Sequence, residues 1–123
     1  MTRRPDEPLL KLRLVFGPDE MIGPGKAELL ERIEKTGSIA AAGREMGMSY
    51  KRAWMLVETM NDMFRDPVVV SSRGGARGGG AKVTDVGFAV LKEYRALEWL
   101  TRDSGKPHVQ KLQSLLSDIS ERK

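Results

Sequence analysis

Cysteine is absent from the 123 residues, and histidine occurs once, at His108. Without thiols there is neither a disulfide framework nor a thiolate metal site. His108 stands in a Lys-Pro-His context with no further ligands beside it, so it reads as a solvated side chain rather than part of a metal centre. Long hydrophobic runs are lacking too, since nothing approaches the ~18 apolar residues of a membrane helix. The opening "MTRRPDEPLLKL" carries positive charge, but acids and prolines interrupt it before any apolar core of a signal peptide. The expectation is a cytoplasmic protein with no membrane partner.

An excess of negative charge is also missing. The formal charge is +4 and the isoelectric point about 9.6, which favours a polyanionic partner without naming one. With 40% apolar and 31% charged residues, the chain has the balance of one compact soluble domain.

Along the chain, residues 1–8 are charged and proline-bearing, and are expected to be disordered. In "LLKLRLVFG" the residues Leu10, Leu12, Leu14 and Phe16 alternate with Lys11 and Arg13, the period of a strand. Pro24 suits the start of a first helix, in which Ala27, Leu29, Leu30 and Ile33 form the apolar face. Glu31 and Lys35 are spaced to pair on it. Gly37 is placed to end that helix in a left-handed conformation. Ser38 can cap a second, short helix and Ser49 a third, "YKRAWMLVETMNDM", with Ala53, Leu56, Met60 and Met63 facing the core.

Beyond Asp66-Pro67, "VVVSS" and "AKVT" read as two strands of a β-hairpin around a glycine-rich connection. Ser71 to Thr84 holds five glycines and three basic residues and no acid. Thr84 or Asp85 caps a fourth helix running to about Leu100. Its residues Val86, Val90, Leu97 and Leu100, with Ala89 and Tyr94, form one apolar stripe, and Phe88 with Trp99 a second. A second stripe can meet a partner, or be covered by a final helix folding back. "RDSGKPH" reads as a linker, followed by an amphipathic helix over 107–122 carrying Val109, Leu112, Leu115, Leu116 and Ile119.

The fold class expected is α+β, mainly α with a small β-hairpin: a winged helix-turn-helix over 9–100 with a long C-terminal helical extension. Gly43 is the small residue that lets the second and third helices cross closely, and Gly47 the left-handed turn. Ile39, Met46, Met48, Ala53 and Leu56 would lock the pair. Ser49, Tyr50, Lys51 and Arg52 crowd the N-terminus of the third helix, where backbone N–H groups and the helix dipole favour phosphate and which in this motif enters the major groove. Arg73, Arg77 and Lys82 surround the wing glycines. Trp54 either packs on a sugar or base near the groove or covers the junction of helix and wing, the commoner use of tryptophan in a small domain.

These segments resemble the DNA-binding domain of the ModE family, molybdate-responsive transcriptional regulators of bacteria. The resemblance rests on T-G-S-I at 36–39, S-Y-K-x-A-W at 49–54, Met60-Asn61, G-G-x-x-G-G-G-A from Gly74 to Ala81, and Thr84 with Gly87. It covers about residues 25–90. It implies double-stranded DNA as partner, a homodimer built through the helix at 85–100, and Ser49, Tyr50, Lys51 and Trp54 on or beside the reading helix. The family's molybdate-binding domains would follow. After Leu100 only 23 residues remain, so no cofactor is expected and molybdate enters by family association only.

Rival readings are weaker. A phosphate-binding loop needs Lys and Ser/Thr after its last glycine. From Gly75, Ala81 stands in the lysine position and Val83 follows Lys82. Asp19-Glu20 lies in a loop rather than across a cleft, and no enzyme is read. The remaining alternative is a winged helix kept for protein interaction and dimerisation without DNA specificity of its own.

Overall fold

The computed structural model describes residues 8–73 and 79–117, excluding the side chains at 73 and 79. The element order is β1 (Leu14–Gly17), β2 (Glu20–Ile22), α1 (Pro24–Thr36), α2 (Ile39–Glu45), α3 (Tyr50–Met63), β3 (Val69–Arg73), β4 (Gly79–Val83) and α4 (Asp85–Ser114). This is a winged helix-turn-helix with a long C-terminal helix.

Each boundary has a local chemical cause. Pro24 occupies the first turn of α1, and Gly37 ends that helix at φ 72° while donating its N–H to Ile33 O. Ser38 accepts from the Ala41 N–H, Ser49 from the Arg52 N–H, and Thr84 from the Gly87 N–H, one cap for each of the other helices. Between α2 and α3 the chain turns left-handed at Gly47, φ 73°.

The core lies between α1, the helix pair and the base of the wing. Leu29, Leu30, Ile33, Val57, Met60 and Val68 are its largest fully buried side chains. Where α2 crosses α3, a Cβ built on Gly43 would stand 2.9 Å from the Ala53 Cβ. Met46, Met48 and Leu56 pack around that crossing half-buried, and Ile39 and Ala53 are buried. Arg32 ties α1 to α2 by bonding Glu28 and Glu45 at 2.7 and 2.8 Å.

Three expectations need correction. The N-terminal strand begins at Leu14 and pairs with β2 in a separate hairpin, whose two-residue turn puts Asp19 at φ 61°. Pro18 ahead of that residue matches a type II turn. Leu12 packs on the core, whereas Leu14, Val15 and Phe16 are 37%, 62% and 57% exposed, so the alternation does not mark a buried face.

The second correction concerns the linker. Residues 101–108 are helical, and α4 runs unbroken from Asp85 to Ser114 through Gly105 and Pro107. Pro107 removes the N–H that would serve the carbonyl four residues back, but this stretch of α4 is largely solvent-exposed, where water can take that place. His108 is therefore an exposed helical residue, and the second helix foreseen over 107–122 is the end of α4 as far as Ser114; residues 118–122 lie outside those described. The third is Glu31, which bonds Arg95 of α4 rather than Lys35.

Past Glu98 no residue of α4 is buried. Up to that point it is anchored by Tyr94, whose hydroxyl donates to Leu12 O at 2.6 Å, and by Arg95, held by Glu31 at 2.6 Å and Glu98 at 2.7 Å. Burial and the Glu98 carboxylate raise the Tyr94 hydroxyl above its ordinary pKa. The hydrogen bonds it donates to the Glu31 and Glu98 carboxylates raise the Arg95 guanidinium likewise.

Gly43→Ala should force the α2–α3 crossing apart and destabilise the fold by about 1–3 kcal/mol, as overpacking does. Urea unfolding followed by circular dichroism measures this. An unchanged midpoint would show that the crossing tolerates a methyl group.

Candidate nucleic-acid interface

The third helix reaches solvent at its N-terminal end. Ser49, Tyr50, Lys51 and Arg52 are all exposed there, while the opposite face, Ala53, Val57 and Met60, is buried. Ser49 is spent as the cap, so its hydroxyl also organises the first turn. No acidic side chain occupies that turn, leaving its N–H groups and the cations of Lys51 and Arg52 as an uncompensated positive end.

Trp54 keeps 41% of its surface exposed. It is not sealed into the junction of helix and wing. Met55, to which the sequence reading gave no role, is 57% exposed beside it. Its signal was available on the helical wheel, because it falls outside the arc of Ala53, Val57 and Met60. Together Tyr50, Trp54 and Met55 make the outward face of α3 apolar as well as cationic. Arg44 of α2, likewise unassigned from sequence, is exposed on the first helix of the pair.

The wing is a regular antiparallel hairpin, Val69 opposite Val83, Val70 opposite Lys82, and Arg73 opposite Gly79. Lys82 is exposed. Arg73 ends β3, placing its backbone at the outer end of the strand pair, and Arg77 lies outside the described residues. The base of the wing is buried through Val69, Ala81 and Val83. Its position is set by backbone contacts: the Ala81 N–H donates to Gly37 O at 2.9 Å, and the Thr84 N–H to Val68 O at 2.9 Å. Gly80 lies so close that a Cβ there would stand 2.7 Å from Gly37 O. Glycine is thus required at this point by close backbone approach.

A second surface lies away from the helix N-terminus. Leu14, Phe16, Ile22, Phe64, Val86 and Leu97 belong to the lining of an open groove of about 320 Å³. Leu100, Phe88 and Trp99 add exposed apolar area on α4, at 53%, 43% and 59%. Among the described residues no group of His, Cys, Asp and Glu could hold a metal ion, and no helix is long and apolar enough to cross a membrane.

The chain has relatives among characterised proteins. It is 44% identical over 77 residues, 63% of its length, to the molybdenum-pterin-binding protein MopA of Rhodobacter capsulatus. Identity is 45% over 73 residues, 59% of the chain, with the molybdenum transport protein ModE of Azotobacter vinelandii. It is 33% over 105 residues, 79% of the chain, with the DNA-binding transcriptional dual regulator ModE of Escherichia coli K12. The chain spans only 29%, 27% and 38% of the length of these relatives, respectively. No family model matches it.

Replacing Ser49 by Ala removes the cap of α3 and should cost about 1 kcal/mol of stability. Thermal unfolding monitored at 222 nm reads the loss, and a variant as stable as the parent would show that the cap contributes nothing.

Proposed function

The chain belongs to the ModE family, and from that premise we propose that it is a sequence-specific, DNA-binding transcriptional regulator working in the cytoplasm. One observation carries the reading: an acid-free, exposed helix N-terminus bearing Tyr50, Lys51 and Arg52, presented by a helix-turn-helix whose wing adds Lys82. The helix from Ser49 enters the major groove. Lys51 and Arg52 meet phosphates and fix the register, while Tyr50 and Trp54 approach sugars or base edges. The wing follows the backbone into the neighbouring groove, where Arg73 and Arg77 are favoured if that groove is narrow. Binding over a promoter excludes other proteins from it, so the outcome is taken as repression.

The functional unit in this reading is a homodimer through α4. The support is the open apolar groove of Leu14, Phe16, Val86 and Leu97, with Leu100 also exposed on α4. Two copies of the reading helix then set the spacing of two half-sites.

No cofactor is assigned. Relatives are named for molybdenum binding or transport. Among the described residues of this chain, no buried side-chain donor or acceptor lacks a partner.

The alternative is a module for protein contact alone, favoured by the same groove. Selection of bound duplexes from a random pool separates the two. We expect a defined site, with Lys51→Ala and Lys82→Ala each weakening binding across sequences and lowering the salt slope by about one. No binding to any duplex at low salt would leave the interaction module. For the dimer, sedimentation equilibrium should give twice the chain mass, and Phe16→Glu with Leu97→Glu should give a monomer. A monomeric parent at the highest soluble concentration would refute the dimer.

A further inference from the structure

The reading helix and the wing are two separate cationic elements, joined by the short segment from Phe64 to Val68. A two-stranded hairpin is marginal by itself in water, so something must fix its angle to the helix. Beside the apolar packing at the wing's base, one side chain among the described residues spans the gap by hydrogen bonds. Asn61, in the last turn of α3, accepts at Oδ1 from the Val68 N–H at 2.8 Å and the Val69 N–H at 3.2 Å, and donates from Nδ2 to Val69 O at 3.1 Å. Its amide therefore satisfies both backbone groups of Val69, as a neighbouring strand would.

The other ties at the wing's base run elsewhere. Gly37 O holds Ala81 from the turn between α1 and α2. Thr84 holds Val68 and Pro67 from the cap of α4, the latter through its hydroxyl at 2.6 Å. Asn61 supplies the side-chain hydrogen bonds that join the wing to the reading helix itself. At 1.5 Å per residue it also lies about 15 Å along the helix from Lys51. With the helix N-terminus in the groove, it stands too far back to touch DNA.

Resting on the DNA-binding reading above, we infer that Asn61 is a positioning residue. It clamps the wing to the reading helix at one angle, so that the cations of both elements engage one DNA site together. Freed of the clamp, the wing samples other angles, and its lysine and arginines meet phosphates only part of the time. The helix cations keep their contacts.

The test uses a duplex selected by the parent chain, with affinity measured against salt for four proteins: parent, Asn61→Ala, Lys82→Ala and the double variant. We expect Asn61→Ala to weaken binding about tenfold and to make the salt slope shallower by about one, as loss of one phosphate contact does. Lys82→Ala, costly in the parent, should then add less than about twofold in the Asn61→Ala background, the mark of residues acting as a unit. Lys51→Ala should keep its full effect there. A residue that merely supports the fold would lower the active fraction and leave both the slope and the Lys82 effect unchanged. That result overturns the inference. Should Asn61→Ala not fold, Asn61→Asp answers under the same criteria, because it keeps the shape and turns the bond to Val69 O into repulsion. A parent that binds no duplex removes the DNA reading and this inference together. A parent that binds, with additive Asn61 and Lys82 effects, removes this inference alone.

Discussion

The close crossing of α2 over α3 at Gly43 and Ala53 is the constraint from which the presentation of α3 follows. With a 2.9 Å gap for any added Cβ, the two helix backbones meet nearly without side chains between them. That approach turns one face of α3, Ala53, Val57 and Met60, into core and leaves Tyr50, Lys51, Trp54 and Met55 facing out. Gly47 lets the chain turn left-handed within the few residues between the helices. Met48 closes the corner, returning its N–H to Gly43 O at 2.9 Å. A larger residue at Gly43 would therefore act on the exposed face of α3 as well as on the core, because both are set by the same crossing.

The parts legible in the sequence were those governed by local chemistry. Pro24, Gly37, Ser38, Ser49 and Thr84 each mark a helix end by a bond or dihedral that depends on one or two neighbours. The wing strands were visible for a similar reason, since β-branched residues flank a run that no helix would accept. What escaped depends on distant partners. β2 is three residues long, and its pairing with β1 leaves no periodic trace. Glu31 had a partner at the right helical spacing, yet Arg95 offers it two hydrogen bonds from a rigid fork. The linker reading rested on Gly105 and Pro107, both poor helix formers, yet α4 continues through them; the stretch is exposed, so water can take the bond that Pro107 leaves unmade.

For the candidate interface, exposure of the charged residues was readable and their geometry was not. Lys51, Arg52 and Lys82 stand exposed on neighbouring elements, as residue type and motif position suggested. Met55 carries no polar group to mark it as a contact, although apolar side chains can also meet base edges, as at a thymine methyl. Asn61 was noted only as part of a resemblance. Its three bonds to Val68 and Val69 could not be inferred from a residue seven or eight positions away in a segment with no regular spacing.

The base of the wing combines apolar packing, through Val68, Val69, Ala81 and Val83, with a set of directional hydrogen bonds. Further out the strands carry small residues, Ser71, Ser72 and Gly80, which offer little apolar area to hold the hairpin in place. Its base compensates with hydrogen bonds that require no bulk: Ala81 to Gly37, Thr84 to Val68 and Pro67, Val68 and Val69 to Asn61. Such bonds are directional where apolar packing is not. They fix an angle as well as a distance. A hairpin anchored by apolar contact alone could rock on its base, whereas one anchored also to α1, α3 and α4 by oriented amides and carbonyls is held at one angle. In the DNA-binding reading proposed above, less ordering entropy is then left to be lost on binding.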